Sequence, residues 1–400
     1  MKDLILKYRV FIKYIGIGYV GVILNVILSI VLMNFFDSKS FGKITLGKSI
    51  FQSYEFSHFG TRFGLDRVLP HTESLRRKSF IFSASFYFCL LTSLILSLFW
   101  IVYDVENIYF YSFFFLGGFL SGLTTLYRVF YRSEEDKTVF ISISIWLLIF
   151  PIATQIIAVY FFGMKGLLYS NFITYLIGFI VCFVKYKINL VISYSIFKKY
   201  LGKIFSIGFF LFLSSIISFL SLIGDRFIIA KYWGFSSLGD YGVVMFFFTA
   251  FTTLSVSYTE LIMNKIILNP GFNYLSKQLL IIFGLSLLFV LVSFPILPYF
   301  IDYFVPKYSH LISLMKEILI GGIIYSVLPI LNYYLHAKDK RRELLIVNVV
   351  SSLIYFVGLY IVLINFNSLQ YLIYLKIFSF FILVGMTFGL FIFFEKIKKI

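Results

Sequence analysis

Charge is the scarcest property of this sequence. Only 13% of its 400 residues are charged, about half the roughly 25% of an ordinary soluble domain. With 60% hydrophobic residues, a water-soluble fold is excluded. Cysteine is nearly absent: Cys89 and Cys182 both sit in apolar runs, read as small buried hydrophobes, and no disulfide is expected. There is no Walker A loop, no HExxH, no paired Cys or His spacing and no G-x-S-x-G. ATP hydrolysis within the chain is thereby excluded, and no catalytic residue, metal or cofactor is expected. Long polar loops are missing as well.

What is present is apolar sequence, rich in aromatics, with 53 Phe and 30 Tyr. Runs longer than the ~18 residues that mark a membrane helix recur from end to end. They place spans near 10–34, 41–61, 80–103, 107–131, 139–162, 166–186, 203–232, 238–264, 275–300, 310–336, 343–365 and 369–393. The first run is too long for the apolar part of a signal peptide and lacks a small-residue cleavage site, so it reads as a span. The net charge of +17 comes from short Lys and Arg clusters between runs, not from one polar face, which argues against nucleic acid. Counted by side, 26 of the 35 basic residues fall on the side of both termini, and basic loops resist translocation. The expectation is an all-α integral membrane protein with twelve transmembrane helices in two six-helix lobes and both termini cytoplasmic. The lobes would be residues 1–190 and 203–400, joined by an amphipathic cytoplasmic connection, 191–202, lying on the bilayer surface. A faint internal repeat supports the division: Ile15-Gly16 against Ile207-Gly208, and Ser38 to Gly42 against Phe235 to Gly239. Parallel halves of this kind place a substrate between them.

An ionisable side chain at the bilayer centre costs at least ~2.5 kcal/mol, so each calls for a partner or a wet cavity. At 100° per residue, Lys48, Gln52, Glu55, His58 and Arg62 of span two share a sector of about 120°, and we read them as lining a cavity. Arg128 closes span four. Span seven carries Ser214, Ser218 and Ser221 on one stripe with Asp225, and Arg226 beside it; span eight adds Glu260. Pro329 should bend span ten.

The stretch Ser206-Ile207-Gly208 through Asp225-Arg226-Phe227-Ile228-Ile229-Ala230, followed by Leu238-Gly239-Asp240-Tyr241, resembles the seventh and eighth helices of O-antigen and capsule flippases. Phe304-Val305-Pro306-Lys307-Tyr308 has the same look. These Wzx-type proteins form the polysaccharide transporter branch of the multidrug/oligosaccharidyl-lipid/polysaccharide exporter superfamily. The resemblance implies a MATE/MOP-like fold and a cationic cavity that carries undecaprenyl-diphosphate-linked oligosaccharide outward across a bacterial cytoplasmic (inner) membrane. It implies no enzymatic activity, and work beside a polysaccharide polymerase and a chain-length regulator in O-antigen (lipopolysaccharide) or capsule synthesis. Arg226 resembles the family's basic residue after the seventh-helix Asp, whereas Lys48 and Glu55 match no family position. The expected substrate cavity is Lys48, Gln52, Glu55, Arg62, Arg128, Asp225 and Arg226, with Glu55, Asp225 and Glu260 as candidates for ion coupling. A membrane glycan polymerase or ligase and a multidrug antiporter are the rival readings. The lack of a large outer loop weighs against the first, and the basic excess in the spans against the second.

Overall fold

The computed structural model describes residues 2–103, 106–134, 138–190, 193–268, 271–338 and 340–397. These are helical, with no strand among the described residues, as hydrocarbon demands of a chain whose backbone polar groups must bond internally. Ten stretches among the described residues are long and apolar enough to cross a membrane. Their apolar side chains point outward as well as inward: Leu98 is 63% exposed and Leu280 72%, the arrangement a lipid solvent favours. The chain divides into two compact units, one holding everything up to Phe35 together with Leu46–Leu213, the other Phe36–Thr45 with Ser214–Ile400. The boundaries after Thr45 and Leu213 cut through helices, and the one after Phe35 falls in a connection.

α1 (Lys2–Phe35) leads to α2 (Ser38–Ser53), which belongs to the first unit from Leu46 onward. The span expected over 41–61 is not one helix. It breaks after Ser53 into a 3₁₀ turn, Tyr54–Phe56, and resumes as α3 (Thr61–Val68) only after Phe59 (φ 44°) and Gly60 (φ 92°) pass through left-handed backbone. The cause is local. Ser53, Ser57 and Thr61 hydroxyls bond back to the carbonyls of Ile50, Tyr54 and His58 at 2.6, 2.8 and 2.8 Å, competing with the helical ladder. Gly60 takes a conformation that other residues resist. The break is caught by its neighbours: the Gly60 N–H donates to His58 Nδ1 at 2.9 Å, and the Ser57 carbonyl accepts from Thr92 Oγ1 at 2.5 Å.

Next come α4 (Leu75–Tyr103), α5 (Ile108–Arg132), α6 (Thr138–Leu148) and α7 (Phe150–Lys185). The apolar stretch 138–185 is 48 residues long yet reverses at Gly163 (φ 56°, ψ −133°). Gln155 Nε2 donates to Asn171 Oδ1 at 3.1 Å, although sixteen residues of straight helix would hold them about 24 Å apart. This stretch is therefore a helical hairpin. Leu65, Phe82, Phe86, Leu123, Tyr127 and Ile143 form the centre of this unit's core. Of the basic stretch expected to lie on the membrane surface, residues 194–202 open α8 (Tyr194–Phe219); no proline separates Tyr194 from the apolar run, so the helix continues. Residues 191 and 192 lie outside the described residues.

The second unit takes over α8 at Ser214. A π-helical turn, Leu220–Gly224, precedes α9 (Asp225–Tyr232), followed by α10 (Gly234–Leu268) and α11 (Phe272–Phe304). After α12 (Ile312–Tyr325) the backbone breaks and restarts as α13 (Leu328–Ala337), with Pro329 in its first turn, the bend expected of that proline. The last helices are α14 (Arg341–Asn365) and α15 (Leu369–Ile397). Ile330, Leu331, Tyr334, Leu335 and Phe391 are central to this unit's core.

Both units contain a reciprocal glycine crossing. In the first, a Cβ at Gly208 would overlap the carbonyl of Gly60, and one at Gly64 the carbonyl of Ile204; in the second, Gly42 meets Phe235 and Gly239 meets Ser38 in the same way. Backbones this close leave no room for any side chain.

Candidate functional site

The broken second span shapes a cavity of about 210 Å³ in the first unit. Gln52, Glu55, His58 and Arg62 line it from the α2–α3 segment, and Ser121, Thr125 and Arg128 from α5. Four of the seven residues assigned to a substrate cavity from sequence thus meet at one place. The break matters to this assembly, because it turns Glu55 and Arg62, seven residues apart, into a pair with Oε1 to Nη1 at 2.9 Å. Their side chains are 60% and 20% exposed, so the carboxylate is the outer member and the guanidinium the inner. Arg62 Nε is buried and makes no hydrogen bond. Arg128 Nε donates to Ser144 Oγ at 3.1 Å, and its guanidinium lies 5.4 Å from the Phe140 ring centre. Tyr54 shares a 2.7 Å hydrogen bond with Ser97, and Trp100 donates to Ser53 at 3.2 Å, so α4 anchors the span where its break begins. The site thus gathers two guanidinium groups, a carboxylate, an imidazole, a carboxamide and hydroxyls on apolar walls.

Lys48 does not line this cavity; it sits on the continuous part of α2, one turn before Gln52 and ahead of the break. Asp225 and Arg226 belong to the second unit. Asp225 is fully buried and pairs with Lys376 of α15 at 2.7 Å, both side chains 0% exposed. Its Oδ2 also accepts from Tyr241 at 2.5 Å and Tyr355 at 2.6 Å. The Glu260 side chain lies outside the described residues. Lys376 is the residue that sequence reasoning missed. The signal was available: a lone lysine in the middle of a 26-residue apolar span needs an acidic partner under the same rule that singled out Asp225.

Beside this pair lies a cavity of about 80 Å³ lined by Ser218, Ser221, Asn332, Asn348, Ser351 and Tyr355 among others. Asn348 Nδ2 donates to Ser214 at 3.0 Å. The serine stripe of span seven therefore faces a polar interior within its own unit. No group of three or more His, Cys, Asp or Glu among the described residues could hold a metal.

Comparison with solved structures defines the class of fold. An inward-facing multidrug resistance MATE family transporter of the MOP superfamily aligns over 93% of this chain and 95% of its own, with a TM-score of 0.68 at 14% identity. Lipid II flippase MurJ in an inward closed conformation aligns over 94% and 86%, with the same TM-score and identity. An outward-facing MATE transporter gives 0.60 at 12% identity, over 98% and 96%. The fold is that of MOP-superfamily transporters. The family model described as polysaccharide biosynthesis protein matches residues 31–267, more than half of the chain, and the chain belongs to that family. No curated protein matches its sequence.

Proposed function

We propose that this protein is a flippase that moves undecaprenyl-diphosphate-linked oligosaccharide from the cytoplasmic to the outer leaflet of a bacterial inner membrane, for O-antigen or capsule polysaccharide, by alternating access. The observation that carries the reading is the first unit's cavity, where Arg62 and Arg128 converge with Gln52 and Glu55. Guanidinium groups in a membrane span, here partly buried, are expensive without a partner, and a diphosphate is the anion that a polysaccharide precursor brings. The cavity takes the diphosphate end; the polyprenyl tail stays in lipid. Arg62 Nε, buried without a partner, supplies a donor that the anion would satisfy.

Twelve crossings follow if the stretch 138–185 counts twice, as its hairpin argues, and if the polar α2–α3 segment is a span. Both termini then face the cytoplasm, where the basic clusters belong. With an inside-negative potential, each negative charge carried across the full field gains ~2.3 kcal/mol per 100 mV, so the anion itself supplies driving force. A polymerase and a chain-length regulator are the partners such a product requires.

The test is glycan export in cells carrying Arg62→Gln or Arg128→Gln. Surface glycan should be lost, lipid-linked precursor should collect in the inner leaflet, and the variant should remain in the membrane at its usual level. Normal surface glycan in both variants would overturn the assignment.

A further inference from the structure

We propose that the ammonium group of Lys376 is a built-in cation, seated in an oxygen cage in the second unit that accepts a free monovalent cation of ammonium size once the lysine is removed. Four oxygens surround Nζ: Asp225 Oδ2 at 2.7 Å, the Ser221 carbonyl at 2.6 Å, the Leu222 carbonyl at 3.4 Å and the Tyr355 hydroxyl at 3.3 Å. Backbone carbonyls, a carboxylate and a hydroxyl are the donor set of a hard cation site. The carbonyls are presented by the π-helical turn Leu220–Gly224, whose wider winding takes them out of ordinary helical register, as such bulges do at functional sites.

The cage does not depend on the lysine for its shape. Asp225 and the π turn come from one chain segment, Tyr241 from α10 and Tyr355 from α14, and the ammonium enters from α15. Tyr241 donates to the carboxylate and so holds Oδ2 without touching the lysine. Asp225 Oδ1 is buried and makes no hydrogen bond, leaving acceptor capacity on the same carboxylate. The adjoining polar cavity shares Ser221 and Tyr355 with the cage, giving an incoming ion a polar approach. Arg226 is the other charged group beside Asp225, and it has interactions of its own. Potassium and free ammonium are close in size to the tethered group, and sodium is smaller, so the vacated cage should rank them in that order. In the native chain the position is filled covalently. The ion-coupling role expected for Asp225 from sequence is then replaced by permanent charge compensation, and this unit needs no exchangeable cation at that place.

The experiment is thermal unfolding of the purified full-length protein in detergent, with choline chloride exchanged for KCl, NH₄Cl or NaCl at constant ionic strength. The native chain should be indifferent to the exchange. Lys376→Ala, purified throughout in KCl, should gain a melting temperature that rises with the logarithm of potassium concentration, with ammonium similar and sodium weaker. Asp225→Asn combined with Lys376→Ala should lose the response. A folded Lys376→Ala protein that ignores every cation, because Arg226 or a proton has taken over the charge, overturns the proposal. So does failure to recover folded Lys376→Ala in KCl while the double variant folds, and so does a native chain that itself responds to potassium.

Discussion

Replacing Lys376 with methionine keeps an unbranched side chain, one atom shorter, and removes its charge together with the N–H donors to Asp225, Ser221, Leu222 and Tyr355. Asp225 would be left fully buried with two phenol donors and without the ammonium it is paired with, Arg226 being the charged group that remains beside it. Breaking a buried pair from one side typically costs about 3–5 kcal/mol, while replacing both members by neutral groups of similar volume is often close to neutral. For a cooperative unit near 200 residues, where each kcal/mol moves the midpoint by about 2–4 °C, the single variant should melt roughly 6–20 °C lower. Asp225→Asn should lose a comparable amount, because it strands the ammonium. Combining the two changes should return most of the loss, giving a coupling energy of at least ~2 kcal/mol in the double-mutant cycle. Trp233, the residue after α9, offers an intrinsic fluorescence signal within the same unit. Additive losses, or single variants within ~1 kcal/mol of the native chain, would refute the reasoning that the pair's charges are mutually required.

The Glu55–Arg62 pair is the same chemistry at another exposure, and it should behave differently. With its carboxylate 60% exposed, Glu55→Gln should alter stability by no more than ~1 kcal/mol, yet lower surface glycan by freeing Arg62 to hold the anion too long; export assays beside a melting curve separate the two effects. Gly208→Ala drives a Cβ into the Gly60 carbonyl and should cost about 1–3 kcal/mol, whereas Gly178→Ala, with nothing nearer than 3.7 Å, should stay within ~0.5 kcal/mol; paired melting curves decide it. Asp37 caps α2 by accepting from the Ser40 N–H at 3.0 Å, and Asp37→Ala should cost about 0.5–2 kcal/mol. Hydrogen bonds from Ser40 hold the Asp37 carboxyl below its usual 3.8. Its contribution is therefore complete above the ordinary carboxylate range and fades only as the pH falls through the lowered value, a loss that acid titration of the native chain, but not of the alanine variant, should show.

The sequence made the membrane habit and most of the first cavity legible, because both follow from counting. Apolar runs announce spans, and polar residues at helical spacing on a costly background announce a wet face. Gln52, Glu55 and Arg62 were found in this way even though the helix that justified the spacing breaks between them. The break itself was not legible. It depends on three hydroxyls bonding backward and on Gly60 adopting a positive φ, and each of these residues alone is compatible with an unbroken helix. Lys48 was carried along by the same periodicity and does not line the cavity. The partner of Asp225 was hidden for a different reason: Arg226 stood next to it in the sequence, while Lys376 lies 151 residues away and meets it only through the packing of α15 on the rest of its unit.

The reversal at Gly163 reaches beyond the hairpin it makes. The stretch 138–185 contains 48 residues, and as an uninterrupted helix it would run about 72 Å, more than twice the ~30 Å of hydrocarbon it must cross. Basic residues mark both ends, Arg132 and Lys137 before it, Lys185 as its last residue and Lys187 after, so both ends resist translocation. In the proposed twelve-crossing arrangement, one glycine in a conformation that other residues adopt only under strain, φ 56° and ψ −133°, therefore keeps both basic flanks on one side of the bilayer; without that turn the stretch could satisfy only one of its two basic ends.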